Sequence, residues 1–258
     1  MLNTVQMQQI AAFPLNYPFI FGTDVAGTIV QLGSRVSRFK LGQRVIGLQC
    51  PLCSTKCSLA FPQTQTYREN GSDLGGSSSV GISAIQLARD AGLGVIATAS
   101  VANHGLVREL GASHVFDHKN PGVVDEILAL LEPGDLVVDC ISDVHTQAKC
   151  GEILSRIGGG RLPIMLLPDG SAPENVEAVF GYFHKVNGLD PGFSSPEVGD
   201  AVWRKYIPAA LAAGTFQTKP EPLIIKGGLK KVQEGFDILR RGVSAKKVVI
   251  EISQEEPN

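Results

Sequence analysis

The sequence has no large excess of charge of either sign: 23 Lys and Arg face 25 Asp and Glu, a formal net charge of −2. That balance offers no electrostatic footprint for nucleic acid or for an anionic membrane. No uninterrupted apolar run approaches the roughly 18–20 residues of a membrane helix. No basic residue precedes Arg35, which argues against a secretory or transit leader. Cysteine is scarce and odd in number, five in 258 residues, which favours a reducing compartment over a disulfide framework. A cytoplasmic address is therefore expected. Disorder is excluded too, because 43% of the residues are hydrophobic and only 19% charged.

What is present divides into three stretches. Residues 1–50 carry short β-branched runs, Ala26–Val30 and Arg44–Gly47, broken by Gly22, Gly27, Gly33, Gly42 and Gly47. Such spacing suits a small all-β unit with tight turns. Residues 51–74 are mostly polar and without period, which predicts a loop longer than compact domains ordinarily carry. From Gly75 onward helical and strand patterns alternate: helices over 80–91, 103–110, 123–131 and 146–157, and strands over 94–100, 115–116, 136–141 and 162–167. A helix over 229–241 and a strand over 247–252 close the chain. Alternation of this length implies a parallel sheet covered on both faces.

The strongest chemical signal is Gly75-Gly76-Ser77-Ser78-Ser79-Val80-Gly81, opening directly into a helix. A phosphate site needs a turn with little side-chain bulk and, behind it, a helix N-terminus whose unpaired N–H groups and dipole favour negative charge. Ser78 stands where the second glycine of the usual dinucleotide fingerprint falls. The cofactor type follows from the next strand end. About 20 residues past the turn an NAD site carries a carboxylate for the ribose hydroxyls. Here the residues are Thr98-Ala99-Ser100-Val101-Ala102-Asn103-His104, with no acid. A neutral pair, Ser100 and Asn103, does not repel a 2′-phosphate, so NADP(H) is favoured.

Tyr17–Gly27, Gly42-Gln43-Arg44-Val45, the turn with Ala84-Ile85-Gln86-Leu87-Ala88, Leu110-Gly111-Ala112, Asp139-Cys140-Ile141-Ser142 and Gly242–Lys247 occur in one order. In that order they resemble the medium-chain dehydrogenase/reductase superfamily, and within it the zinc-free fungal trans-enoyl reductases and their alcohol-dehydrogenase-like relatives. The resemblance implies an α/β fold: a Rossmann-type doubly wound parallel sheet with a partial GroES-like β domain. It implies a first part of the catalytic domain over 1–68, an NADP-binding domain over 69–189, and a C-terminal return to the catalytic domain over 190–258. By position it implies cofactor contacts at Ser77, Ser78, Ser79 and Val80 for the pyrophosphate, and at Ser100 and Asn103 for the 2′-phosphate. It also places His118 where relatives carry a tyrosine, and Val243 and Ser244 near the nicotinamide. It implies a small-molecule or carrier-bound enoyl substrate and, by family analogy, a polyketide synthase partner.

Residue types argue against zinc. Gly22-Thr23-Asp24 stands where zinc-dependent members carry Gly-His-Glu, and three protein ligands for a catalytic ion cannot be assembled. Cys50, Cys53 and Cys57 lack the fourth ligand of a closed structural site. Three departures from the family pattern stand out. Tyr67–Leu74, which should be an apolar strand feeding the turn, is polar, so the first Rossmann strand is expected to be missing, through an internal deletion or mis-splicing of the gene. The N-terminus starts inside the family pattern. Thr4-Val5-Gln6 replaces an Asp-Trp-Lys segment, so a neutral glutamine stands where a lysine is usual.

Two functions follow from these residues. One is an NADPH-dependent, zinc-independent reductase delivering hydride to an activated double bond, an enoyl thioester or enone. The other is a truncated, catalytically silent relative that at most binds nucleotide. No proton donor is identified; Tyr182 and Tyr206 have suitable chemistry.

Overall fold

The computed structural model describes residues 24–37, 39–48, 71–180 and 196–252. Thr4-Val5-Gln6, Gly22-Thr23, Cys50, Cys53, Cys57 and Tyr182 lie outside the described residues. Contacts divide the chain into two units, Met1–Pro62 with Phe183–Arg204, and Gln63–Tyr182 with Lys205–Asn258.

In the first unit β1 (Asp24–Thr28) runs antiparallel to β2 (Arg44–Leu48), with Ala26 opposite Ile46. β1 begins two residues earlier than the β-branched run suggests, because the ladder extends to the Asp24–Leu48 pair.

The second unit holds a six-stranded sheet. In chain order its elements are β3 (Gly71–Leu74), α1 (Ser79–Asp90), β4 (Val95–Ala99), α2 (His104–Glu109), β5 (His114–Asp117), α3 (Val123–Leu128), β6 (Leu136–Asp139), α4 (Val144–Arg156), β7 (Gly160–Ile164) and β8 (Val176–Phe180). The strands lie in the order β5-β4-β3-β6-β7-β8, all parallel. Strand order therefore reverses between β3 and β6, the switch point at which open α/β sheets hold dinucleotides.

The apolar pattern of β4 explains the two-sided packing. Successive side chains of a strand point to opposite faces. Val95, Ala97 and Ala99 pack with Ile82 and Ile85 of α1 and with Val107 and Leu110. Ile96 packs on the other face with Val123, Ile127, Val137, Cys150 and Ile153, from α3, β6 and α4. All five β4 residues are buried, as a strand covered on both faces requires.

The expected loss of the first Rossmann strand is corrected here. Gly71–Leu74 fills the central position, with Ser72 opposite Ile96 on one side and Val137 on the other. Ladder hydrogen bonds use backbone groups that every non-proline residue carries. Two flanking strands therefore recruit a short polar segment that side-chain pattern alone would assign to a loop.

Beyond the sheet, α5 (Ile207–Ala213) leads to β9 (Glu221–Lys226), α6 (Val232–Arg241) and β10 (Lys246–Glu251), the two strands pairing in parallel. Residues 205–258 of the expected 190–258 return thus group with the sheet by contact. The segment after α5 is strapped to α1. Gln86, fully buried, donates through Nε2 to the Gln217 carbonyl at 3.1 Å and accepts the Gln217 amide through Oε1 at 2.7 Å. Arg89 donates to the carbonyls of Leu110 and Thr215 at 2.9 and 2.8 Å. Gln86→Leu strips both partners from the Gln217 peptide groups. It is expected to cost about 2–3 kcal/mol, lowering the melting temperature by roughly 5–10 °C, as calorimetry would read.

Candidate functional site

The glycine-serine turn connects β3 to α1. Gly75 has φ +105°, a conformation L side chains rarely adopt, and a Cβ there would lie 2.5 Å from Cγ1 of Ile141. Thr98, at the end of β4 and 1% exposed, fastens the turn: its Oγ1 accepts the Gly75 amide at 3.2 Å and its carbonyl accepts the Gly76 amide at 2.8 Å. Ser78 caps α1, its Oγ accepting the Gly81 amide at 3.0 Å. Ser79 opens the helix and is exposed, with Val80 half-buried beside it. One first-turn N–H is thus used by the cap, while the helix dipole remains directed at the crevice.

The side-chain amide of Asn103 gathers three residues singled out from the sequence. Its Nδ2 lies 3.2 Å from Oγ of Ser77, 3.0 Å from Oγ of Ser100 and 2.9 Å from Oγ of Ser244. An amide nitrogen carries two hydrogens, so at most two of these oxygens accept at once. Asn103 Nδ2 cannot accept, so the serine O–H hydrogens are left for other acceptors. The result is a cage of hydroxyl donors beside a helix N-terminus, a fit for a phosphate group with no carboxylate to repel it. His104 Nε2 lies 3.1 Å from the Ala99 carbonyl, which pins its ring to the end of β4.

Not every candidate joins this cage. Ser244, expected by resemblance near a nicotinamide, is linked through Asn103 to Ser100. Val243 is half-buried next to it, in a loop where Gly242 and Ala245 have positive φ. His118 stands at the end of β5, exposed, its Nδ1 3.8 Å from the Asp117 carboxylate. Tyr206 bonds to Asp90 at the far end of α1, about 16 Å along the axis from Ser79. Burial first, and then the bond to Asp90, pushes its phenol up to about 12. Tyr206 thus stands at the opposite end of α1 from the glycine-serine turn.

A second cluster, which the sequence offered only as a family motif and not as a site, lines the switch point. Asp139, at the end of β6 opposite Leu74, is fully buried. Its Oδ1 accepts the amides of Ile141 at 3.0 Å and Ser142 at 2.7 Å. Its Oδ2 makes no hydrogen bond. Burial raises this carboxyl above the usual carboxylate range; the Ser142 amide, the nearby Thr146 hydroxyl and the Ile141 amide offset part of that, and Asp143 adds to it. A raised folded value means that the folded state holds the proton more tightly than the unfolded chain. The associated stability is present in acid, below about pH 4, and is lost as pH rises through the folded value. Asp139→Asn cannot titrate, so its stability relative to wild type is expected to improve from pH 4 to pH 7, as urea unfolding at each pH would show.

Among the described residues no three His, Cys, Asp or Glu side chains converge as metal ligands would. No helix among them is long and apolar enough to cross a membrane.

Comparison with known proteins fixes the family. Residues 2–110 match the alcohol dehydrogenase GroES-like domain and residues 79–184 the zinc-binding dehydrogenase domain. The trans-enoyl reductase himH of Aspergillus japonicus is 53% identical over 97% of this chain and 86% of its own length. The chain belongs to the medium-chain dehydrogenase/reductase superfamily. Another relative, the zinc-binding alcohol dehydrogenase domain-containing protein cipB of Emericella nidulans, is 34% identical over 95% of this chain and 84% of its own. Among solved medium-chain structures, the CurK enoyl reductase has a TM-score of 0.64 at 17% identity, covering 90% of this chain and 79% of its own. A putative NADPH:quinone reductase from Bacillus thuringiensis has 0.71 at 16%, covering 95% and 85%. The fold is accordingly a Rossmann-type sheet with a GroES-like N-terminal domain. The himH match spans 299 aligned positions against 258 residues here, so at least 41 of them face gaps in this chain.

Proposed function

We propose that the protein is an NADPH-dependent, zinc-independent reductase of activated carbon–carbon double bonds, enoyl thioesters or enones. The observation that carries the cofactor half is the Asn103 cage: Ser77, Ser100 and Ser244 converge on one amide beside the Ser78-capped helix. In this reading Ser77, Ser78, Ser79 and Val80 receive the pyrophosphate, and Ser100, Asn103 and Ser244 the 2′-phosphate. Residues 69–189 then form the cofactor half and residues 1–68 the substrate half. When bound, the dinucleotide supplies hydride; the chain's own residues bind it, orient it and hold the crevice in shape. The substrate class is supported by the trans-enoyl reductase himH, and by that route a polyketide synthase would present the substrate on a carrier.

NADPH fluorescence enhancement on titration, followed by enone-dependent loss of 340 nm absorbance, tests both halves. Binding and turnover are expected; absence of binding at millimolar NADPH overturns the assignment. The aligned gaps favour a second reading, an internal deletion leaving a catalytically silent nucleotide binder, and binding without turnover of any enone or enoyl thioester would establish it.

A further inference from the structure

Two of the three cage serines are built into the end of the sheet. The Asn103 amide donates to the Ser100 carbonyl at 2.8 Å, closing the turn that carries both residues. Ser77 lies in the glycine-serine turn, where the Ser78 amide donates to the Gly75 carbonyl at 2.9 Å and Thr98 holds Gly75 and Gly76. Ser244 is held differently. It stands exposed on the loop between α6 and β10, with φ +87° at Gly242 before it and +47° at Ala245 after it. Positive φ is disfavoured at a residue with a Cβ, so Ala245 keeps that shape only while the bonds around it enforce it. The bond from Asn103 to Ser244 fastens the tip of this loop to the end of β4.

The amide of Asn103 is also over-subscribed. Three oxygens lie within 3.2 Å of a nitrogen with two hydrogens, and Ser244 is the nearest, at 2.9 Å. An anion entering the cage competes for those hydrogens, and the partner on the least supported segment is Ser244. The exchange conserves hydrogen bonds. One N–H of Asn103 turns from Ser244 Oγ to a phosphate oxygen, and the freed Ser244 hydroxyl donates its own hydrogen to the same phosphate. A charged phosphate oxygen is a far stronger acceptor than a ribose hydroxyl, so only the phosphorylated ribose drives the exchange.

We propose that the loop Gly242–Ala245 is a latch on the cage, shut in the free protein by Ser244 on Asn103 and opened and re-shut by the 2′-phosphate. This rests on the NADPH reading above and gives Ser244 a kinetic role that a passive ligand contact lacks. A latch slows entry as well as exit, whereas a passive contact slows exit alone.

Two measurements on the full chain test it. In the free protein, Ser244→Ala is expected to speed hydrogen exchange of the amides over 242–246 at least tenfold, with the amides of α1 exchanging as in wild type. In stopped-flow fluorescence the same variant is expected to raise the NADPH association rate about threefold and the dissociation rate about 30-fold. Affinity for NADPH then falls about tenfold, and affinity for NADH changes less than twofold. Ser244→Thr keeps a hydroxyl on the same carbon and is expected to hold both NADPH rates within about threefold of wild type. Unchanged exchange over 242–246, an association rate that stays constant while dissociation rises, or a threonine variant that behaves as alanine overturns the latch while leaving the cofactor assignment intact. A wild-type protein that binds no NADPH overturns both.

Discussion

Replacing Asn103 with aspartate is expected to weaken NADPH binding at least 100-fold while changing NADH affinity by less than a factor of five. The amide lies within 2.9–3.2 Å of three serine hydroxyls, donating to two of them at a time and leaving their own hydrogens for the ligand. A carboxylate accepts only, so the serine hydrogens would turn toward it and away from the crevice. It would also put a negative charge beside the 2′-phosphate. At a separation of about 5 Å and an effective dielectric of about 20, each unit of like charge costs about 3 kcal/mol, roughly two orders of magnitude in affinity. NADH, with hydroxyls in place of that phosphate, suffers no such repulsion. Asn103→Ala removes the organising amide without adding charge, and a tenfold loss for NADPH is expected. Fluorescence titration of both cofactors reads the result; an aspartate variant with NADPH affinity within threefold of wild type would show that the cage does not hold the 2′-phosphate.

The largest expected effect on stability belongs to Gly75→Ala. Two penalties coincide there. The φ of +105° is unfavourable for any residue with a Cβ, and the added methyl would lie 2.5 Å from Cγ1 and 2.8 Å from Cδ1 of Ile141. Ile141 cannot swing aside by moving its backbone, because both its own amide and that of Ser142 are bonded to Asp139. Strain and overpacking together are expected to cost about 3–5 kcal/mol, a melting temperature lowered by roughly 10–15 °C. Gly76→Ala provides the control. Its Cβ would meet Ala97, Ile85 and the Thr98 carbonyl at 3.1–3.3 Å without a positive φ, and a cost of about 1–2 kcal/mol is expected. Adding Ile141→Gly to Gly75→Ala should recover the steric part and leave the backbone part, so a double-mutant cycle separates the two.

The pattern of residues that could be read in advance follows from where the information resides. β4 was legible because Val95–Ala99 is apolar on both faces, and α1 because Ile82 and Ile85 recur at helical spacing ahead of an arginine in its last turn. The turn was legible because phosphate chemistry demands small residues there. β3 was illegible: Gly71-Ser72-Asp73-Leu74 carries no strand signature, and its place is set by backbone groups of β4 and β6. β9 was missed for a related reason, since five of its six residues are exposed and Pro222 lies second in the strand. Ser77, Ser100 and Ser244 were each expected at a different part of the cofactor, and the shared amide that joins them, which spans 26 residues one way and 141 the other, was not expected. Thr98 offered a faint signal, a hydroxyl inside an otherwise apolar strand. Asp139 was legible only as part of a family motif at a strand end, because nothing in the sequence shows that its carboxylate is buried and accepts the two amides that follow.

Ser244 reaches the cage 141 residues after Asn103. At ribosomal speeds of about 5–20 residues per second, that interval is roughly 7–28 s. The sheet and the serine turn can finish forming within it, well before the last hydroxyl emerges. A nascent polypeptide would therefore pass through a stage with two of the three cage serines in place, and affinity for the phosphorylated ribose would mature only late in translation.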